Sequence, residues 1–156
     1  MFGNLNAAEI ENLLRQEITG TIGCHADDVT YVVPISYSYD GTYIYARTFE
    51  GRKLNMMRKN PSVCFQVDHM QNMANWQSVI AWGKFEELTE TELRNNALNH
   101  LIDRNVPLIA SKTVQLTADW PFPAVDLEAI KGVVFRIKIE KKTGRFERSE
   151  ESFGIF

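Results

Sequence analysis

The chain contains only two cysteines, Cys24 and Cys64, in 156 residues. They form no spaced framework, which argues against a disulfide scaffold and suits thiols kept reduced in a cytoplasm, while leaving a single bond between the two open. Long apolar runs are also missing: no stretch approaches the ~20 residues that cross a bilayer, and the first residues show neither the basic start nor the apolar core of a signal peptide. A cytoplasmic protein is therefore expected. No long Lys/Arg run or aromatic-basic repeat is present, and with a formal charge of −3 this argues against a general nucleic-acid binder. Neither an internal repeat nor an interdomain linker is visible, so residues 1–156 are read as one domain.

Several catalytic signatures are absent. There is no GxGxxG or GxxxxGK[ST] after a strand, no GxSxG elbow, no HExxH and no paired CxxC. The three histidines, His25, His69 and His100, match no familiar metal spacing. Cys24 and His25 are neighbours in a strand-like stretch, so they point to opposite faces. No metal site is expected.

What the chain does have is a block from Val32 to Asp68 in which two aromatic strands run into a Gly51-Arg52-Lys53 turn and a short helix. Tyr31, Val33, Ile35, Tyr37 and Tyr39 alternate with smaller or polar residues, the period of a strand. Asp40-Gly41 then predicts a tight turn into Thr42–Thr48 and an antiparallel hairpin. Pro34 cannot donate to a ladder, which marks an edge, a bulge or an opening. Arg52 and Lys53 stand where the helical pattern of Leu54, Met57 and Arg58 begins. A helix N-terminus with two cations suits a phosphate, and Arg47 would supply a third. Local pattern alone reads first as a solvated basic turn, with the phosphate site as its alternative.

Around this block, Asn6 caps a helix carrying Ile10, Leu13, Leu14 and Ile18 and ending near Gly20, expected to lie across one end of a barrel. Strands follow at Val63–Val67 and from about Gln77 to Leu88. Thr89 and Glu92 resemble a capping box ahead of a helix with Leu93, Ala97, Leu98, Leu101 and Ile102 on one face. Trp120-Pro121-Phe122-Pro123 reads as a structured loop. Val133–Ile139 is the last clear strand, followed by a charged tail. The fold expected is mainly β with a few α-helices: an antiparallel Greek-key split β-barrel, nearly closed because closure removes exposed edges.

The ordered combination PISYSYDGTYIYARTFEGRKLNMMRKNPSVCFQVD, then WQSVIAWGKFEEL and the late KIEKKTGR, resembles the FMN-binding split-barrel family related to pyridoxamine 5′-phosphate oxidase, nearest its nitroimidazole-resistance-like branch. The resemblance spans most of the chain. It implies FMN as cofactor, with Arg52 and Lys53 on its phosphate and Arg47 and Thr48 beside the phosphate and ribityl chain. It further implies that Ser36 lines the flavin, and that Gln77 and Ser78 reach it from across the pocket. Family members are usually homodimers with FMN between subunits, so Trp120 or Trp76 of a partner chain would cover the ring, packing being the alternative for each.

The family's namesake reaction also needs a second basic site for the substrate's phosphate. The strand from Val32 to Tyr37 has no Arg or Lys, and the ending ERSEESFGIF lacks the Arg and His pattern of the true oxidases. The expectation is therefore an FMN-dependent oxidoreductase, a flavin reductase or nitroreductase-like enzyme with an unidentified small acceptor and no nameable acid or base. The alternative is a non-catalytic flavin-binding, storage or sensing protein; a relative using haem or a deazaflavin is a third possibility.

Overall fold

The computed structural model describes residues 1–104 and 126–149. Trp120-Pro121-Phe122-Pro123 lies outside these residues. In chain order the elements are β1 (Phe2–Asn4), α1 (Ala7–Gln16), β2 (Thr19–Ala26), β3 (Val29–Ser36), β4 (Ser38–Tyr39), β5 (Tyr43–Thr48), α2 (Arg52–Lys59), β6 (Ser62–Asn72), β7 (Asn75–Glu87), α3 (Thr91–Asp103), a 3-10 turn (Leu127–Ala129) and β8 (Val133–Glu147).

Among the described residues all the strand pairings are antiparallel, in the order β3-β2-β6-β7-β8-β5-β4, with β1 added to β8. The two ends of this order, β3 and β4, are separated in the chain by Tyr37 alone. A sheet whose outermost strands are joined by one residue must curl until its ends meet, which gives the expected split barrel. Inward-facing Ile22, Ile35, Ile44, Phe65, Val79 and Ile137 fill its interior.

Helix α1 caps that interior. Asn6 Oδ1 accepts from the Glu9 N–H at 2.8 Å and Glu9 Oε1 accepts from the Asn6 N–H at 3.0 Å, the reciprocal cap expected of such a start. Ile10, Leu13 and Leu14 are buried in the barrel core, and the helix touches β4, β6, β7 and β8, as a plug across one end does. Helix α3 covers the outside instead: Ala97, Leu98 and Leu101 pack with Tyr45 of β5 and Val134 of β8 in a second apolar cluster.

Some expectations are corrected. The first helix stops at Gln16, because Glu17 is extended and Thr19 already pairs with Ser36; Ile18 is not helical. The aromatic run from Tyr31 to Tyr39 is two strands. Tyr37 is buried between them, its N–H donating to Ile18 O at 2.9 Å and its hydroxyl to Leu14 O at 2.7 Å. β3 consequently pairs with β2, and only Ser38 and Tyr39 form the hairpin with β5. No Thr89 capping box forms; the N-cap of α3 is Glu90, without a side-chain cap. The charged residues after Ile139 continue β8 to Glu147, held by β7. Pro34 does lie on an end strand, where its missing N–H costs least.

Candidate functional site

The Gly51 turn places α2 directly after β5 and leaves the helix start open. Gly51 is the N-cap, and among the described residues no side chain caps the first turn and nothing approaches within 4 Å of a Cβ built there. Unsatisfied N–H groups and the positive end of the dipole therefore face an accessible space. Lys53 reaches back across this turn to donate to Thr48 Oγ1 at 2.8 Å. Thr48 is buried at the end of β5, and burial pushes the Lys53 ammonium below its ordinary value. Lys53 forms no ion pair among the described residues. A half-desolvated cation beside a hydroxyl and a free helix start is chemically suited to an anion, so these residues fit a flavin phosphate. Arg52 is exposed on the same turn, with its guanidinium carbon 5.8 Å from the centre of the Tyr31 ring on β3.

Arg47 is not brought to that cradle. It precedes Thr48 on β5 and so projects to the other face, the one covered by α3, where it donates to Lys131 O. Arg94 of α3 joins it there, donating to Leu127 O at 3.2 Å and Ile130 O at 2.6 Å. Burial first, and the charge of Arg94 second, pull the Arg47 guanidinium below its usual value.

Ser36 ends β3, and its hydroxyl accepts from Arg104 Nη1, which also donates to Tyr37 O at 3.3 Å. Arg104 is the residue that sequence reading missed. It lies 68 positions from Ser36, beyond the last turn of α3, and no local pattern connects the two.

On β7, Gln77 and Ser78 also part. Ser78 Oγ accepts from Gln66 Nε2 at 3.2 Å on the barrel's outer face. Gln77 lines a different depression with Asn12, His69 and Arg148. Trp76 is half-buried, its indole N–H donating to Glu147 Oε2 at 2.9 Å, and Trp120 lies outside the described residues. The outer face carrying Ser78 also shows Val32, Ile80 and Trp82, which are 67%, 37% and 39% exposed. A largely apolar groove of about 570 Å³ runs there between Gly23, Val32, Cys64 and Trp82.

Among the described residues no three His, Cys, Asp or Glu side chains gather as metal ligands, and no helix is long and apolar enough to cross a membrane.

Comparison with known proteins agrees with this architecture. An uncharacterized protein of Rhizobium meliloti is 35% identical over 131 residues, covering 80% of this chain and 81% of its own. The solved structure of a FAD-binding protein from Mesorhizobium loti has a TM-score of 0.71 and 32% identity over 94% of this chain and 98% of its own. A Bacteroides thetaiotaomicron protein named for 5-nitroimidazole antibiotic resistance shares the fold at a TM-score of 0.69, with 18% identity over 94% of this chain and 87% of its own. The model of the pyridoxamine 5′-phosphate oxidase family matches residues 6–146, the stretch that runs from the Asn6 cap to the end of β8. The chain therefore belongs to the pyridoxamine 5′-phosphate oxidase family.

Proposed function

We propose that the protein is an FMN-dependent oxidoreductase of the cytoplasm that passes electrons to a small acceptor, in the manner of a flavin reductase or nitroreductase. The observation that carries the reading is the cradle of Lys53, Thr48 and the uncapped start of α2, which supplies what a flavin's terminal phosphate needs. The family supports it, as does the FAD-binding relative at 32% identity.

Bound flavin would supply the redox chemistry, and the protein would supply position and access. Lys53 and Thr48 hold the phosphate end, with Arg52 at the mouth of the same turn. Ser36 and Ser78 belong to the walls along the ring. No side chain of the described residues is assigned as acid or base, since a reduced flavin takes its protons from water.

The working unit in this reading is a homodimer. The exposed Val32, Ile80 and Trp82 give β3 and β7 an apolar outer face next to Ser78, and a second copy seated there would close the flavin between subunits. Trp120 of the partner chain is proposed to cover the ring.

An acceptor-dependent reoxidation assay tests the enzymatic part. Chemically reduced, flavin-loaded protein is mixed with nitroaromatic and quinone acceptors and flavin absorbance is followed. Rapid, acceptor-dependent turnover is expected. Stoichiometric binding without acceptor preference would instead indicate a flavin carrier or sensor.

A further inference from the structure

We infer that Arg58, in the last turn of α2, is a positioning residue for the phosphate cradle at the other end of the same helix: it grips Glu50, neutralises that carboxylate and fixes the turn that presents the helix start. The inference rests on the flavin reading for the anion itself, while the grip on Glu50 is a feature of the fold.

The turn between β5 and α2 consists of Phe49, Glu50 and Gly51, all exposed. Gly51 brings no side chain to cap the first turn. Nearby contacts hold this turn weakly: the Asn55 N–H donates to Gly51 O at 3.2 Å, and the Arg47 guanidinium lies 5.2 Å from the centre of the Phe49 ring. Glu50 is held from the far end of the helix. Arg58 Nη1 donates to Glu50 Oε2 at 2.7 Å and Nη2 to Glu50 Oε1 at 2.9 Å, a fork on a fork. The same guanidinium turns another edge to Glu87 at the end of β7, with Nε donating to Oε2 at 3.0 Å and Nη2 to Oε1 at 2.9 Å. The turn is thereby tied to α2 and to the sheet at once. An isolated exposed ion pair contributes little, but two bidentate pairs sharing one guanidinium form the kind of network that does fix a structure.

Charge makes this tie matter to a ligand. Glu50 immediately precedes the N-cap, and no acidic residue follows in the first turn of α2. A free carboxylate there would oppose a bound phosphate, and it would compete with the phosphate for Arg52 and Lys53, its near neighbours in the chain. Neither of those cations forms an ion pair among the described residues. The Arg58 hydrogen bonds hold the Glu50 carboxyl below its usual value, so it stays ionised at neutral pH and its charge is met by Arg58. Arg58 thus leaves Arg52 and Lys53 available to an anion.

The test compares FMN with riboflavin, which lacks the phosphate, each titrated into the flavin-free full chain at low ionic strength and followed by fluorescence quenching. Arg58→Met should weaken FMN about fivefold or more, the scale of one uncompensated charge beside an anion, and riboflavin less than about twofold. In a Glu50→Gln background the same substitution should cost FMN less than about twofold, since the carboxylate through which Arg58 acts is gone. Equal losses for FMN and riboflavin, or no loss for either, overturn the proposal and leave Arg58 a surface ion pair. A fivefold loss that persists in Glu50→Gln overturns it as well, because Arg58 would then act on the phosphate itself. If circular dichroism shows that Arg58→Met does not fold, Arg58→Lys, which cannot grip both carboxylates, carries the same comparison with an expected FMN loss of about threefold. Failure of the flavin reading looks different, since it is seen in the wild type: a chain that binds neither flavin, or holds FMN no tighter than riboflavin, refutes the cradle and with it any role for Arg58 there.

Discussion

Lys53 is a half-buried ammonium whose hydrogen bond runs to the Thr48 hydroxyl, and that pairing is the core of the proposed phosphate cradle. A buried cation without a carboxylate contributes little to stability and can lower it. Lys53→Met should therefore leave the melting temperature of the flavin-free protein unchanged or raised, while weakening flavin binding about tenfold or more, the worth of one charge-assisted hydrogen bond. Parallel melts and fluorescence titrations check this; a large loss of stability with unchanged flavin affinity would make Lys53 a structural residue. The meeting of Lys53 with Thr48 was legible in the sequence because only a three-residue turn separates β5 from α2, so local spacing already brings them close. The parting of Arg47 from Thr48 follows from strand alternation, but that alternation mattered only once α3 was known to cover the other face of β5. Arg104 was not legible at all, since its meeting with Ser36 depends on how α3 lies across the sheet.

Among the elements, the β4–β5 turn is organised by one carboxylate. Asp40 accepts from the N–H groups of Thr42 at 2.9 Å and Tyr43 at 2.7 Å, and from the Tyr45 hydroxyl at 2.7 Å. Burial pushes its carboxyl up, but the bonds from Tyr43, Tyr45 and Thr42 outweigh this and hold it below its usual value. The folded-state value is thus depressed below the unfolded one. Its stabilising contribution is present above about pH 4, where the unfolded carboxylate is ionised, and is lost as pH falls through the folded value. Asp40→Asn should flatten this acid limb in urea melts and cost about 1–3 kcal/mol at neutral pH; an unchanged acid limb would contradict the assignment.

A second element-scale test lies at the β7–β8 register shift between Trp82 and Gly83. A Cβ on Gly83 would collide with the backbone carbonyl oxygen of Lys138, which cannot swing aside as a side chain can. Gly83→Ala should cost about 1–3 kcal/mol, read as a lowered urea midpoint. Strand existence was readable from alternation, as at Val63, Phe65 and Val67. Partnering was not, because β3 exchanges the near hairpin for β2 through the buried Tyr37, a tertiary choice that period-two patterning cannot express. The late extension of β8 escaped for a related reason: charged residues after Ile139 are carried by pairing with β7 rather than by an apolar face.

For the whole molecule, the proposed phosphate cradle stands where β5 runs into α2, and the apolar face of Val32, Ile80 and Trp82 lies outside the barrel. If that face seats a second copy, Val32→Asp combined with Ile80→Asp should yield a folded monomer, visible by sedimentation, with weakened flavin binding. A dimer that persists in the double variant would place the interface elsewhere. The barrel itself and its family were legible from the ordered motifs; whether the cleft turns over an acceptor depends on what reaches the flavin. The most direct measurement is a titration of purified protein with FMN, followed by visible absorbance and gel filtration, for the wild type and the Arg52→Ala/Lys53→Ala variant. The account predicts flavin peaks that travel with the wild-type protein and affinity lower by about a hundredfold in the folded variant, two charge-assisted contacts being lost. A wild-type protein that stays colourless with added FMN, or a variant of equal affinity, would contradict it.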